Sequence, residues 1–298
     1  MRGGECALPV RKKKRLLQKI NGLLRQARVP RWLHRMGPKK FTTWQHLTCV
    51  FLKQKLKCSW RDLIELLPYF RMQIPHFTTL IKFASRIPVA LWNLILSWSA
   101  QADHCPIGAI DATGFSRSSA SDYYIKRIDG HRSNNYIKTS IFIDVKRRKI
   151  LSAHVRAKPA HDVKDVSYLT SHSPVLPDVN LMDKGYDSND VHAHFREQGL
   201  CSIIPARKRC CSGQYRKEMR DCFDYEQYWQ RNVVETVFSS LKRKYGSIVR
   251  SRKIRTQRTE VYARLILHNI TLALARLFHQ SLNSGNKLFK STRKWKTN

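Results

Sequence analysis

Two apolar runs in this chain each close on a carboxylate: "IGAID" at 107–111 and "VNLMD" at 179–183. Runs of this kind read as buried strands. A carboxylate closing a buried strand is costly unless it is paired, hydrogen-bonded or bound to a metal. Small or turn-forming stretches follow, "ATG" after Asp111 and "KGYD" after Asp183. The strands are therefore expected to stop at these residues, with the backbone bending away and the carboxylates left at the sheet edge. If the strands are neighbours, both side chains face one crevice at the carboxyl ends, where α/β sheets bind ligands. Taken singly, either Asp could equally open a turn.

The flanking sequence supplies the rest of such a sheet. "NYIKTSIFIDV" and "KILSAHVRAKP" read as strands joined at "KRRK", "DVKDVSYLTSH" and "SNDVHAHFREQG" as helices, and "LCSIIPA" as a short strand. The order is three strands, helix, strand, helix, strand, helix. The leading strands are expected to be antiparallel and the later ones to alternate with helices, which makes a mixed α/β sheet. Ahead of it, helical segments start near Thr42, at Ser59 as N-cap and near Thr78 or Thr79, with Pro68 limiting the second. Short helices with tight breaks on a basic background fit a helix-turn-helix-like DNA-binding module; a packing or dimerisation domain has the same pattern.

A third acid stands out by its isolation. Between Glu226 and Glu260 the only acidic residue is Glu235. On a helix of about 100° per residue, Tyr228, Arg231, Glu235 and Lys242 fall on one stripe about 60° wide. Val233, Val234, Val237, Phe238 and Leu241 form a separate apolar face. Such a helix buries one side and offers a polar stripe beside it. Glu235 could be paired with Arg231 as a solvated i,i+4 pair, or it could join the two Asp residues as a metal ligand. Hard oxygen ligands in sets of two or three suit Mg²⁺ or Mn²⁺, with phosphate supplying further ligands.

Charge points to the same class of substrate. The 298 residues carry 56 Lys and Arg against 21 Asp and Glu, a net charge of +35, and such an excess asks for a polyanion. Nucleic acid is favoured over a membrane: "IPVALWNLILSWSA" is too short to span a bilayer and contains Pro, Asn and Ser. No secretory signal follows the basic N-terminus. The eight Cys include no CxxC pair, which argues against a zinc finger; Cys210, Cys211 and Cys222 could form a metal site with a nearby His, but reduced thiols are the plainer reading.

The spacing Tyr228, two residues, Arg231, three residues, Glu235, six residues, Lys242 resembles the Y-(2)-R-(3)-E-(6)-K pattern of bacterial and archaeal insertion-sequence transposases of the DDE superfamily. The four and five families share it. "DKGYD" at 183–187 is similar to their second motif, "AIDATGF" to their first, and "PHFTTL" at 75–80 to a stretch of the five family. The resemblance implies a ribonuclease H-like mixed-sheet catalytic core with an N-terminal all-helical DNA-binding region. It implies Asp111, Asp183 and Glu235 as the catalytic triad and metal ligands, holding two Mg²⁺ (or Mn²⁺) ions, and Tyr228, Arg231 and Lys242 as DNA contacts. The implied reaction is hydrolysis of the phosphodiester at an element's end, then attack of the freed 3′-hydroxyl on target DNA. The implied partners are double-stranded DNA, as terminal inverted repeats and target, and a second copy of the chain on paired ends, in a prokaryotic cytoplasm at the nucleoid. A nuclease of the same fold without strand transfer and a catalytically silent repressor are the alternatives.

The expected organisation is a partly flexible basic arm over 1–40, a helical domain over 41–100, the catalytic domain over 101–280 and a flexible basic tail over 281–298. Asp162 and Asp165 read as a capped helix start rather than a second site. Trp44, Trp60, Trp92 and Trp98 read as core, with Trp32 the exception. The basic segment 207–220 reads as extra DNA contact or a plain loop.

Overall fold

The computed structural model describes residues 10–37, 39–70, 73, 75–117, 136–157, 160–207 and 212–293. Among them, six strands form one mixed sheet. β1 (Ile107–Arg117), β2 (Tyr136–Asp144) and β3 (Lys149–Arg156) are antiparallel neighbours. On the other side of β1, β4 (Val179–Met182) and β5 (Cys201–Ile203) run parallel to it, giving the order β3-β2-β1-β4-β5. A sixth strand, β6 (Ile248–Val249), which the sequence reading lacks, pairs in parallel with Ser116 and Arg117. This is the mixed-sheet arrangement expected of a ribonuclease H-like core, with the helical region present before it.

That region comprises α1 (Val10–Gln26), α2 (Thr43–Leu56), α3 (Trp60–Leu66), α4 (Phe77–Arg86) and α5 (Val89–Ala100). Thr42 and Ser59 cap α2 and α3 through reciprocal capping boxes with Gln45 and Asp62, each cap contributing about 1 kcal/mol. α4 starts at Phe77, just before Thr78 as expected, and His76 caps it, its ring accepting the Thr78 N–H. Between strands lie α6 (Val163–Ser171) and α7 (Asn189–Arg196), and after them α8 (Gln214–Asp221), α9 (Tyr225–Tyr228), α10 (Asn232–Tyr245) and α11 (Ile254–Arg293). Residues 11–15, expected as an arm, thus lie within α1, and residues 281–293 of the expected tail continue the backbone helix of α11. Residues 1–9 and 294–298 of that arm and tail, and Cys210 and Cys211, lie outside the described residues. No single helix among the described residues is long and apolar enough to cross a membrane.

The sheet is covered on both faces, because alternate side chains of a strand point to opposite sides. Ala109, Ile141, Ile143, Leu181 and Ile203 belong to a large cluster shared with α1, α2, α5, α10 and α11. Ile110, Phe142 and Met182 belong to a second cluster with Val166 and Leu169 of α6 and Val191 and Phe195 of α7. The N-terminal helices therefore bury their apolar sides in the same cluster as one face of the sheet.

α11 is what joins them. Every residue from Val261 to Ile270 is buried, and a helix buried all round must satisfy its polar groups internally. Arg264 donates to Glu260, to Gln54 of α2 at 3.2 Å and to the carbonyls of Gly246 and Ile248 at 2.9 and 2.8 Å. Asn269 bonds both the N–H and the C=O of Ile150 on the outer edge of β3, at 2.9 and 2.8 Å, and Ser99 Oγ of α5 at 2.8 Å. The edge strand is thereby closed to further pairing at that point.

Asp162 and Asp165 do not form a capped helix start. Asp162 occupies the N-cap position without a side-chain cap bond. Asp165 is fully buried, accepts from Ser140 Oγ at 2.7 Å, and lies 2.9 Å from His154 Nδ1, 2.6 Å from Arg156 Nε and 3.3 Å from Lys138 Nζ. Burial alone would push its carboxyl up; the hydrogen bonds from His154 and Ser140 and the nearby cations hold it down at about 2. These partners sit on β2 and β3, which is why a reading confined to the local sequence sees only a helix start. Of the Trp residues, Trp92 is core, Trp44 and Trp60 pack partly buried against the core, and Trp98 is exposed. Trp32 has Arg31 and Lys39 over its ring at 5.3 and 5.4 Å.

Replacing Asn269 with Ala would strip both Ile150 backbone groups of their partner. The expected loss is roughly 2–4 kcal/mol, from two buried groups left unsatisfied, read as a lower midpoint in urea denaturation with an unchanged slope.

Candidate active site

The two Asp residues meet through strand register. Ile110 on β1 is level with Met182 on β4, so Asp111 and Asp183 are the next residues on adjacent parallel strands. By the pleat's period of two, Asp111 shares a face with Ala109, and Asp183 with Leu181, the face that α10 covers. Asp183 is exposed and its backbone still extended, and a 3₁₀ turn over Lys184–Tyr186 follows.

β1 itself does not stop at Asp111, contrary to the sequence expectation. It stays paired with β2 as far as Ser116, opposite Tyr136. The crevice arises instead because β4 ends at Met182 while β1 runs on, and β6 takes up the same edge only from Ser116. Ala112, Thr113 and Gly114 are small residues within a continuing strand, not a turn.

The acid of α10 reaches this gap. Arg231 Nη1 lies 3.5 Å from Asp111 Oδ2, and its Nη2 donates to Glu235 Oε1 at 2.8 Å. One guanidinium thus joins two carboxylates distant in sequence. The i,i+4 pair of Glu235 with Arg231 is present, and the same Arg231 lies beside Asp111. The Tyr–Arg–Glu–Lys stripe is not one uninterrupted α-helix. Tyr228 ends α9, Arg231 closes a 3₁₀ turn over Trp229–Arg231, and Glu235 and Lys242 belong to α10. Tyr228, Arg231 and the residues flanking the break remain right-handed helical, so the stripe keeps its direction. Arg231 Cζ sits 5.9 Å from the Tyr228 ring centroid, and Lys242 Nζ donates to Thr113 Oγ1 at 2.8 Å. Val234, Val237, Phe238 and Leu241 are buried as expected, with Val233 partly so.

Electrostatics tie the group together. Burial raises the Asp111 carboxyl above its ordinary range; the Ala112 N–H and Arg231 oppose the rise, and Asp183 and Glu235 add to it. Burial also works against the charge on Arg231, but Tyr228, Asp111, Asp183 and the bond to Glu235 outweigh it and leave its pKa raised.

A protein-family model described as a transposase DDE domain matches residues 105–270, more than half of the 298-residue chain. The chain belongs to the DDE transposase family. No curated protein matches it. Among solved structures, a piggyBac transposase synaptic complex with hairpin DNA is similar at 12% identity, covering 88% of this chain and 72% of that one, with a TM-score of 0.48. Membership in the family makes the chain an enzyme of the transposase class and implies dependence on a divalent metal.

Within the DDE domain the donors suit such a cation in kind. They are carboxylate oxygens only, and Asp111, raised mainly by burial and further by Asp183 and Glu235, has negative neighbours that a cation would offset. Among the described residues, no three His, Cys, Asp or Glu side chains are gathered closely enough to hold a metal ion. Arg231 is the cation between Asp111 and Glu235 here, and the Glu235 side chain is 60% exposed.

Three positioning residues escaped the sequence reading. Asp187, the second acid of "DKGYD", is buried and accepts from both Nε and Nη2 of Arg216 at 2.7 Å and from the Arg207 N–H at 2.8 Å. Arg207 also donates to the carbonyls of Lys184 and Gly185, at 3.4 and 3.1 Å. The start of the basic segment therefore clamps the loop that carries Asp183. The signal was available in the second acid of the motif, which is too close to Asp183 to be an independent strand end. Cys222 is an exposed free cysteine.

Because folding raises the Asp111 pKa, it favours the protonated carboxyl. The associated stability is full below the ordinary Asp pKa and is lost as pH rises through the raised value. In metal-free buffer, Asp111→Asn is expected to hold or raise the melting temperature at about pH 8 and to flatten its fall above about pH 4. A clear drop at alkaline pH, followed by thermal denaturation across a pH series, would contradict the geometry drawn for this carboxylate.

Proposed function

We infer that the chain is a DNA transposase of an insertion sequence in the four/five superfamily, with the five family the better match to "PHFTTL". It binds the terminal inverted repeats of its element, hydrolyses the phosphodiester there and transfers the 3′-hydroxyl to target DNA. The observation that carries this reading is the single guanidinium of Arg231 contacting both Asp111 and Glu235, on a sheet face that Asp183 shares.

Asp111, Asp183 and Glu235 would hold Mg²⁺ or Mn²⁺, as two ions. Such ions, when bound, polarise the phosphodiester and lower the pKa of water. The chain's own residues do the positioning. Lys242, fixed to β1 by Thr113, presents an ammonium to a phosphate entering beside Asp111. Arg231 has a buried Nε–H without a partner among the described residues, a donor suited to a phosphate oxygen. Tyr228 lies against Phe223, ring centroids 5.1 Å apart, and its hydroxyl is raised by burial, so it stays neutral as a hydrogen-bond donor. The reading further assigns DNA binding to the helical region before the sheet, a homodimer on paired ends, and the prokaryotic cytoplasm as the place of action.

The deciding experiment is a supercoiled-plasmid assay with end-bearing DNA and Mg²⁺ or Mn²⁺. Cleaved and joined products are expected, and Asp111→Ala should lose both, by at least about a thousandfold, while still binding the ends. Cleavage without joining would make the protein a nuclease. End binding without any cleavage by the unmodified protein would make it a repressor.

A further inference from the structure

A cavity of about 470 Å³ lies between α2 and the segment that links α10 to α11. Its walls carry Lys53, Lys57, Arg250 and Arg264 against a single acid, Glu260. Glu260 is already occupied: it accepts from Arg264, from the N–H groups of Arg250 and Ser251 at 3.2 and 3.1 Å, and from Ser251 Oγ at 2.9 Å. Arg264 is likewise held by carbonyls and Gln54. Lys53 is different. It is 8% exposed, yet its ammonium makes no hydrogen bond or ion pair among the described residues; it rests 5.2 Å from the centroid of the Trp60 ring. Burial lowers its pKa, with Glu260 opposing and Arg264 and Arg250 adding to the fall. The Lys53 ammonium therefore faces an excess of like charge, and the one acid in the wall is already taken up by Arg264 and by backbone N–H groups.

The cavity's place says which anion would reach it. Ser247, in its wall, accepts the Ser116 N–H at 3.1 Å, and Ile248 pairs with Ser116 at the far end of β1. Ser116 is five residues beyond Asp111, ~17 Å along an extended strand. That distance is about five base pairs of duplex.

We propose that this cavity is a second phosphate site, in which Lys53, backed by Lys57 and Arg250, takes a backbone phosphate of the substrate duplex about five base pairs from the scissile bond. The inference rests on the transposase reading for its choice of DNA, and for the site itself on Lys53, whose ammonium faces the cavity without a hydrogen-bond acceptor among the described residues. The phosphate group supplies the acceptor oxygens that Lys53 lacks, and it holds α2 and the α10–α11 link to one point on the DNA.

The test compares the unmodified protein with Lys53→Met, and with Lys146→Gln as a control for loss of one exposed charge on the β2–β3 turn. Two readouts are needed, both without divalent metal. The first is end-DNA affinity across a salt series: Lys53→Met is expected to reduce the slope of log Kd against log salt by about 0.9, and Lys146→Gln to leave it unchanged. The second is the melting temperature with and without inorganic phosphate. Phosphate should raise it for the unmodified protein and not for Lys53→Met, whose melting temperature without phosphate should be no lower than that of the unmodified protein. A phosphate shift lost in Lys53→Met with an unchanged salt slope would mean a free phosphate ligand and would overturn the DNA assignment. Equal phosphate shifts in both proteins, or a Lys53→Met protein that simply melts earlier, would overturn the site altogether and make Lys53 a packing residue. None of these results bears on cleavage by Asp111, which the plasmid assay decides separately.

Discussion

Like charges cannot be gathered on one sheet face unless something positive stands among them, and in this fold that role belongs to Arg231. The register of β1 and β4 brings Asp111 beside Asp183, and α10 adds Glu235 from above. Desolvation then makes each ionised carboxylate less favourable. A guanidinium is suited to the task because its planar fork can address two carboxylates at once and remains charged when partly buried. Its position depends in turn on the 3₁₀ turn before α10 and on the apolar face of that helix, which anchors the stripe to the core. Sheet register, helix docking and site electrostatics are therefore one constraint seen at three scales.

Much of this was legible in the sequence because it follows from short-range periodicity. Apolar runs closing on Asp gave the strands, and the 3.6-residue stripe separated the polar and packing faces of α10. Thr42 and Ser59 announced their helices through capping chemistry. What remained hidden depends on pairing between distant segments. Nothing local to "IDATGF" says that β2 would keep β1 straight past Asp111. Nothing around Val249 marks a two-residue strand. Asp165 reads locally as a helix start, and only the arrival of Lys138, His154 and Arg156 from β2 and β3 turns it into a buried ion cluster.

The relation between the helical region and the sheet was also out of reach. Composition suggested a boundary near residue 100, where helices give way to strands. The hydrophobic cluster crosses that boundary, since α11, from the end of the sequence, inserts between α2, α4 and α5 on one side and β3 on the other. Its polar residues, Glu260, Arg264 and Asn269, satisfy backbone and side chains in both regions. A force applied to the helices is thus transmitted to the edge of the sheet through directed hydrogen bonds as well as through apolar packing.

The clamp on the Asp183 loop has a consequence for how this protein's basicity is understood. Arg216 is turned inward onto Asp187 and Arg207 is bound to neighbouring carbonyls, as Arg231 and Arg264 are engaged elsewhere. A tally of cations along the chain thus overstates the electropositive valence the outer surface can offer, since part of it is architectural mortar holding irregular backbone in place.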